Sequence, residues 1–273
     1  MVREINNISV IGAGYMGKQI IERSALCGYN VHAYDVNFDK LNEFISELKS
    51  SKDIKGEIIQ HTNLSAAVRN ADLIIEAISE KIELKREIFS QIDKAAPPHA
   101  IIATNSSSIP ISKLEDVVKR KDKVMNIHFY HLVNWPMADL MRGTQTNDET
   151  FEKGKKWVES IDITPLIVKK ECYGFVFNRI WRAVKKDCLK IWGNGHADVE
   201  DVDKAWKIFT GSDEGPFEMM DKIGLDVIYD IEMSYFKKSG DQDDKPPKAL
   251  KEMVDKNQLG RKTGKGFYNY EIK

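Results

Sequence analysis

The stretch that decides the fold is Ile8-Ser9-Val10-Ile11 followed by Gly12-Ala13-Gly14-Tyr15-Met16-Gly17. A short apolar run that leads into a Gly-x-Gly-x-x-Gly motif, with a helical pattern after it, predicts a strand, a tight turn and a helix. The glycines let the backbone approach a pyrophosphate, and the helix N-terminus adds N–H donors and a partial positive charge. We therefore expect this stretch to form a phosphate cradle.

A second predicted strand, residues 31–34, ends at Asp35, where an adenosine-ribose acceptor is expected. A carboxylate accepts hydrogen bonds from a ribose 2′-hydroxyl and repels a 2′-phosphate. The next residues, Val36, Asn37 and Phe38, include no arginine that would reverse this preference. The pattern thus predicts NAD as the cofactor rather than NADP. The alternative is a glycine turn that only packs a strand against a helix, with Asp35 as a loop residue.

Along the first 172 residues, short apolar runs alternate with helical patterns, as in a parallel sheet covered by helices. Strands are predicted at residues 8–11, 31–34, 73–77, 100–103, 124–128 and 166–168. From Gly174 onward the pattern is almost wholly helical, and one helix is predicted over residues 217–238. The predicted fold class is α/β: a Rossmann-type, mostly parallel sheet domain over residues 1–172, then a smaller all-α domain over residues 173–273.

The composition restricts the possible partners. The chain has 273 residues, with 41 basic and 42 acidic side chains and a formal net charge of −1, which gives no reason to expect nucleic acid. Cys27, Cys172 and Cys188 form no Cys-x-x-Cys pair. No metal is expected, since no metal-ligand spacing links the histidines that stand alone, which are His32, His61, His99 and His196. With no membrane-length apolar run and no signal-peptide core, a cytoplasmic protein without membrane contact is expected.

Six further motifs resemble those of the 3-hydroxyacyl-CoA dehydrogenase family, in the same order and over nearly the whole chain. They occupy residues 75–80 with Lys85, 105–109, 126–130, 174–179, 215–218 and 259–268. The resemblance implies reversible oxidation of an L-3-hydroxyacyl-CoA by NAD, within fatty acid metabolism. It also implies a homodimer that forms through the helical domain.

By this resemblance, the cofactor contacts come from the glycine turn and from residues that follow later strands. These residues are Gly12, Ala13, Gly14, Tyr15, Met16, Gly17, Asp35, Ala77, Ile78, Glu80, Lys85, Asn105, Ser107 and Lys262.

The resemblance also makes His128 the catalytic base, and gives Ser107 and Asn178 hydrogen bonds to the substrate hydroxyl and carbonyl. Histidine suits the role of base, because its unperturbed pKa of about 6.5 lies near the working pH. His128 ends a predicted parallel strand, and ligands bind outside the carboxyl ends of such strands. Ser106 and Ser108 are expected only to shape the turn.

The active-site segment departs from the family pattern. After His128 the family usually has Phe-Asn-Pro, but residues 129–132 read Phe-Tyr-His-Leu, which puts His131 where an asparagine normally touches the cofactor. The family also pairs its histidine with a glutamate further along the chain. The simplest alignment puts Met141 at that place, whereas a one-residue gap would make Asp139 the partner.

The segment between Asp35 and Glu76 is shorter than usual for the family, so a helical hairpin that helps to hold CoA is reduced to one helix and a stub. The substrate therefore stays open between an acyl-CoA thioester and a free β-hydroxy acid. A third alternative is a catalytically silent NAD-binding or structural relative. The altered segment after the histidine favours this alternative, whereas the retained Ser107, His128 and Asn178 oppose it.

Overall fold

The computed structural model describes residues 5–172 and 174–271. The chain forms two compact units that divide between Val176 and Phe177. The first unit contains one eight-stranded sheet. Its strands are β1 (Asn7–Ile11), β2 (Asn30–Tyr34), β3 (Ile58–His61), β4 (Leu73–Glu76), β5 (Ile101–Thr104), β6 (Val124–Phe129), β7 (Met137–Arg142) and β8 (Thr164–Val168).

The order of the strands across the sheet is β3-β2-β1-β4-β5-β6-β7-β8. Strands β1 to β6 run parallel, and β7 and β8 run parallel to each other but opposite to β6. The carboxyl ends of β1, β4, β5 and β6 therefore meet at one edge of the sheet, where ligands of such folds bind. The predicted fold class, a mostly parallel sheet domain followed by a helical one, is confirmed.

Helices cover both faces of this sheet. They are α1 (Tyr15–Leu26), α2 (Phe38–Ser51), α3 (Leu64–Val68), α4 (Ile82–Ala95) and α5 (Asp148–Ser160). Since both faces are covered, the central strands are apolar on both sides. Val10 and Ile75 belong to one apolar core, whereas Ile11 and Ile74 belong to the other. The long apolar runs in the sequence therefore correspond to strands that are buried on both faces.

Two strands of the sheet, β3 and β7, are missing from the sequence-based assignment. β3 is an edge strand that is buried mainly at Ile58, and its polar Gln60 and His61 hide the apolar pattern. β7 is buried along most of its length, but Asp139 interrupts its apolar run. The sequence predicts one helix and a stub after β2, and the prediction of a stub is wrong. In its place the chain forms β3, which pairs with β2 at the edge of the sheet.

The regular elements of the second unit are helices. They are α6 (Phe177–Gly193), α7 (Val199–Thr210), α8 (Pro216–Ile223), α9 (Leu225–Ser239) and α10 (Lys248–Asp255). The single helix predicted over residues 217–238 is wrong, because Gly224 has a φ of +111° and divides it into α8 and α9. Among the described residues, none of the helices has both the length and the apolar character that crossing a membrane requires.

Candidate active site

Three glycines shape the turn between β1 and α1. Two of them allow close contact with neighbouring backbone, and the third leaves open space. Gly12 has a φ of +98°, and a Cβ there would lie 2.7 Å from the carbonyl oxygen of Ala77. A Cβ on Gly17 would lie 1.9 Å from the carbonyl oxygen of Gly12, so only glycine lets α1 start so close to the turn. A Cβ on Gly14 would meet no described atom within 4 Å. This leaves space for a ligand beside the N-terminus of α1, as phosphate binding requires.

The carboxylate of Asp35 is tied to the glycine turn. Its Oδ2 accepts a hydrogen bond from the N–H of Ala13 at 2.7 Å, and its Oδ1 accepts one from Asn37 at 2.8 Å. Asp35 borders a cavity of about 320 Å³. The other walls of this cavity are Ile11, Gly12, Gly14, Tyr34, Val36, Ala77, Ile78, Ser79, Leu84 and Ile88. Open glycine backbone, one carboxylate and apolar walls fit the adenosine and phosphate portion of a dinucleotide.

A second cavity, of about 250 Å³, shares Ala77 and Ile78 with the first. Its full set of wall residues is Met16, Ala77, Ile78, Glu80, Lys85, Asn105, Ser107, His128 and Phe129. Every one of these residues except Phe129 is predicted from the sequence as a site residue. They come from α1, from the ends of three parallel strands and from the start of α4, so the tertiary structure brings together residues that are distant in the chain.

The ammonium group of Lys85 is buried and paired with two carboxylates. Its side chain is 1% exposed, and its Nζ lies 2.7 Å from Oε1 of Glu76 and 3.2 Å from Oε2 of Glu80. Glu76 is fully buried and also accepts hydrogen bonds from the Thr104 hydroxyl and the Ile78 N–H, each at 2.8 Å. Buried charges need such partners, because desolvation otherwise costs several kcal/mol per ion. The cluster fixes the ends of β4 and β5 beside each other.

Glu80 holds the loop that follows β5. Its Oε1 accepts hydrogen bonds from the hydroxyl of Ser106 at 2.5 Å, and from the N–H and hydroxyl of Ser108 at 2.9 and 2.7 Å. Burial raises the pKa of Glu80, but the serine hydrogen bonds and the charge of Lys85 outweigh it and lower the pKa to about 2. Glu80 is therefore ionised at neutral pH. It anchors both neighbours of Ser107, which lies in the cavity wall.

Two asparagines connect this loop to β6. Oδ1 of Asn105 accepts a hydrogen bond from the N–H of Phe129 at 2.9 Å. Nδ2 of Asn126 donates hydrogen bonds to the carbonyl oxygens of Thr104 at 3.1 Å and Ser106 at 3.2 Å. These contacts hold residues 105–108, which we call the serine loop, in a fixed position relative to the carboxyl end of β6.

His128 and Asp139 lie directly opposite each other on the antiparallel strands β6 and β7. Nδ1 of His128 is 3.4 Å from Oδ2 of Asp139. Asp139 is fully buried, and His128 is 6% exposed. Because an ionised carboxylate can only accept hydrogen bonds, this contact favours the tautomer with the proton on Nδ1 and a lone pair on Nε2. A base that is oriented by a carboxylate in this way can remove a proton from a hydroxyl group.

Aromatic rings enclose the imidazole of His128. The ring of Phe175 stacks on it, with centroids 5.0 Å apart and an interplanar angle of 21°, and Tyr130 contacts it edge-on at 4.7 Å. Phe175 has a φ of +51°, which is uncommon for a bulky residue and occurs mainly where the surroundings impose it. The next residue, Val176, donates its N–H to Oδ1 of Asp139 at 3.4 Å. The segment that follows β8 therefore contacts both His128 and Asp139.

The other residues that the sequence analysis singles out belong to other segments of the chain. Asn178 is in the first turn of α6, in the second unit. Lys262 is in the same unit, and its Nζ lies 2.6 Å from both carboxylate oxygens of Asp226. In the first unit, Tyr15 begins α1 and is 68% exposed. Nδ1 of His131 accepts the N–H of residue 134 at 3.1 Å, so His131 stabilises its own loop.

Three histidines outside these two cavities form side-chain contacts that the sequence does not reveal. Nδ1 of His32 lies 2.9 Å from Nε2 of His61, and Nε2 of His99 lies 3.1 Å from Oδ1 of Asp72. The expectation that these histidines stand alone is wrong, because neighbouring strands bring them close to their partners. Within residues 5–172 and 174–271, no group of three or more histidine, cysteine or acidic side chains is arranged to hold a metal ion.

Four residues that shape the site are absent from the sequence-based set. Glu76 and Asn126 are polar residues inside apolar strand runs, and a buried polar group of this kind usually has an assigned hydrogen-bonding task. Tyr130 lies two residues after His128, a spacing that places both side chains on one face of a strand. Phe175 has no comparable signal, since its positive φ depends on packing.

Family models match nearly the whole chain. The NAD-binding domain of 3-hydroxyacyl-CoA dehydrogenase matches residues 7–172, and the C-terminal domain of the same enzyme matches residues 174–270. A 3-hydroxybutyryl-CoA dehydrogenase of Clostridioides difficile is 34% identical over 278 residues, which cover 96% of this chain and 99% of that protein. A probable 3-hydroxyacyl-CoA dehydrogenase of Caenorhabditis elegans is 32% identical over 292 residues, which cover 98% of this chain and 94% of that protein.

Solved structures give the same result. The (S)-3-hydroxybutyryl-CoA dehydrogenase of Ralstonia eutropha is 31% identical with a TM-score of 0.86, covering 98% of this chain and 100% of that one. A diketoreductase that acts on dicarbonyl compounds is also 31% identical, with a TM-score of 0.87 and the same coverage. The fold and these family matches define a Rossmann-type oxidoreductase that uses NAD. The chain belongs to the 3-hydroxyacyl-CoA dehydrogenase family.

Proposed function

We propose that the protein oxidises the 3-hydroxyl group of an L-3-hydroxyacyl-CoA reversibly to the 3-ketoacyl-CoA, with NAD as hydride acceptor and His128 as general base. The observation that carries this proposal is the contact between Nδ1 of His128 and the buried Asp139. It is supported by the position of His128 and Ser107 in the wall of one cavity at the carboxyl edge of the sheet.

The proton transfer follows from the tautomer of His128. Because Asp139 accepts from Nδ1, the lone pair of Nε2 takes the proton from the substrate hydroxyl. Asp139 then faces the imidazolium and stabilises its positive charge. NAD, when bound, supplies the acceptor for the hydride that leaves the same carbon. In the reverse direction, the imidazolium returns its proton to the carbonyl oxygen.

Other residues hold the substrate and the cofactor in this proposal. Ser107 donates a hydrogen bond to the reacting oxygen, and Asn178 donates one to the carbonyl of the thioester. The turn from Gly12 to Gly17 holds the pyrophosphate, and Asp35 accepts from the adenosine ribose. The remainder of NAD contacts Ala77, Ile78, Glu80, Lys85, Asn105 and Lys262.

We propose that the second unit also mediates a homodimer. Its helices expose bulky apolar side chains, among them Ile180 at 58%, Ile208 at 76% and Phe209 at 92%. Large exposed apolar side chains mark protein–protein contact surfaces where they are grouped into one patch. Sedimentation or light scattering of the purified protein measures the oligomeric state directly, and a monomer at micromolar concentration would contradict this assignment.

A second candidate function is the oxidation of a β-hydroxy acid that carries no CoA. The observation that favours it is the segment between β2 and β4. This segment consists of α2, the edge strand β3 and the five-residue α3, rather than a long helical hairpin. The structural similarity to a diketoreductase adds support, because that enzyme acts on dicarbonyl compounds.

Consumption of NADH with acetoacetyl-CoA and, separately, with free acetoacetate distinguishes the two candidates. We expect turnover with the thioester and little with the free acid. Turnover with the free acid alone would select the second candidate. Absence of turnover on a wider panel of β-keto compounds, in a protein that still binds NADH, would identify a catalytically silent relative.

A further inference from the structure

The hydroxyl group of Tyr130 contacts the same carboxylate oxygen as His128. It donates a hydrogen bond to Oδ2 of Asp139 at 2.5 Å, whereas Nδ1 of His128 lies 3.4 Å from that oxygen. The tyrosine ring also stands edge-on to the imidazole, with centroids 4.7 Å apart. Asp139 therefore shares one acceptor oxygen between a phenol and an imidazole, and the phenol makes the shorter contact.

The register of the sheet produces this sharing. His128 pairs with Asp139 across β6 and β7, and Tyr130 has its side chain on the same face because it lies two residues after His128. Tyr130 also extends the strand ladder, since its N–H donates to the carbonyl of Met137 at 3.4 Å. The contact is thus a consequence of strand pairing, and a shift of one residue would remove it.

Asp139 is fully buried, so its surroundings screen its charge weakly. A hydrogen bond that is donated to a buried carboxylate neutralises part of the charge that the carboxylate offers to its other partners. The N–H of Val176 reaches the other oxygen at 3.4 Å, which is longer than the contact from Tyr130. Of the three donors, Tyr130 therefore has the greatest effect on the negative charge that faces His128.

Among the described residues that line the cavity with His128, the other titratable side chains are Glu80 and Lys85. These two side chains are paired with each other at 3.2 Å. Phe175, which stacks on the imidazole, carries no charge. A substitution that removes only the hydroxyl of Tyr130 leaves these groups in place and removes the hydrogen bond to the carboxylate of Asp139.

We propose that Tyr130 is a positioning residue that weakens the hold of Asp139 on the protonated form of His128. The proposal rests on the proposed role of His128 as the base. Without the hydroxyl, more of the negative charge of the carboxylate would face the imidazolium and keep its proton bound to higher pH. With the hydroxyl, the imidazole returns more readily to the neutral form that accepts a proton from substrate.

The test is Tyr130→Phe, which removes the hydroxyl and keeps the ring that packs on His128. In the pH profile of kcat/KM for oxidation of 3-hydroxybutyryl-CoA, we expect the acid-side midpoint to rise by about half to one pH unit, the size of one neutral hydrogen bond. An NMR titration of the imidazole in the enzyme without substrate should show the same upward shift, with the His128 signal identified by its loss in His128→Gln.

Two further variants separate this effect from a general structural one. In an Asp139→Asn background, Tyr130→Phe should no longer move the midpoint, because the carboxylate through which it acts is absent. Tyr29→Phe is the matched control, since the Tyr29 hydroxyl contacts the Ser160 hydroxyl at 2.6 Å in the same unit. We expect this control to leave the midpoint unchanged.

An unchanged or lowered midpoint in Tyr130→Phe would overturn the proposal, as would an equal shift in the Asp139→Asn background. The NMR titration does not depend on turnover. If 3-hydroxybutyryl-CoA is not oxidised at all, the proposed function fails on the kinetic measurement while the effect of Tyr130 on His128 is still decided by the titration.

Discussion

Among the described residues of the first unit, two histidine–aspartate pairs lie at opposite ends of the parallel strands. At the carboxyl edge, His128 and Asp139 lie 3.4 Å apart, with side chains 8% and 0% exposed. At the amino edge, His99 and Asp72 lie 3.1 Å apart, with side chains 35% and 3% exposed. As isolated pairs they are chemically alike, and the pair at the amino edge even has the shorter contact.

The surroundings of the two pairs differ. Asp72 precedes β4, and its Oδ2 accepts the N–H groups of Asn6 and Asn7 at 3.0 and 2.9 Å, which ties the start of β1 to that of β4. The cavity beside His99 is the larger of the two, about 510 Å³ against about 250 Å³ beside His128. Only the smaller one adjoins the glycine turn and the serine loop. Neither cavity size nor a histidine–aspartate contact therefore distinguishes the proposed active site from the other pair. Position does, because ligands of such folds bind at the carboxyl edge of the sheet.

The largest expected difference between the two pairs is catalytic. His128→Gln should reduce turnover by about 10² or more, because general acid–base catalysis contributes at least that factor. NADH affinity, measured by fluorescence, should stay nearly unchanged in this variant. His99→Gln, which alters the matching pair, should keep the full rate. Equal losses in both variants would remove the functional distinction between the two edges.

At the amino edge we expect a loss of stability instead. Asp72→Asn should lower the free energy of unfolding by about 1–3 kcal/mol, because an amide cannot accept all the hydrogen bonds that the buried carboxylate accepts. Urea denaturation measures this change. The kcat and the NADH affinity of the folded variant should match those of the original protein. A selective loss of kcat would mean that the amino edge takes part in function.

Asp35→Ala tests the carboxyl edge without touching the proposed base. Loss of the ribose acceptor should weaken NAD binding about tenfold and reduce the discrimination against NADP. Titration with both cofactors measures this change. Asp39→Ala, at an exposed position in the first turn of α2, is the control. An unaltered preference for NAD in Asp35→Ala would show that the adenosine ribose binds elsewhere.

The smallest expected effect concerns acid stability at the serine loop. The folded-state pKa of Glu80 is about 2, below its ordinary value of 4.5, so its hydrogen bonds stabilise the fold above about pH 4.5. That contribution is lost as the pH falls towards 2. The stability difference between the protein and Glu80→Gln should therefore shrink between pH 5 and pH 3, as measured by thermal denaturation. Glu83→Gln, nearby on α4, should show no such trend.

Much of the carboxyl edge could be predicted from the sequence, because its signals are local. Gly12, Gly14 and Gly17 act through spacing within one turn, and Asp35 follows the next strand. The motifs that contain Glu80, Lys85, Ser107 and His128 resemble those of a known family, and the structure gathers these four residues in one cavity. The amino edge has no such motif, and the contact between His99 and Asp72 could not be predicted.

The partner of His128 illustrates what the sequence leaves open. Met141 and Asp139 are both compatible with the sequence, and they lie two residues apart on a strand that the sequence-based assignment misses. The register between β6 and β7 places Asp139 opposite His128, and Met141 opposite Asn126. The sequence cannot decide between these two residues, because the choice depends on how β7 pairs with β6. That register is set by which side chains are buried against the core when the strands pair.

The sequence by itself determines the fold class, and it predicts the NAD cradle and the histidine that we propose as the base, since each depends on a motif of a few neighbouring residues. Tertiary structure alone decides that Asp139 faces His128, that Tyr130 shares its carboxylate, and that Phe175 covers the imidazole in a left-handed conformation. These contacts join segments that approach each other only when the sheet is assembled. Their energies depend on burial, which no stretch of sequence specifies on its own.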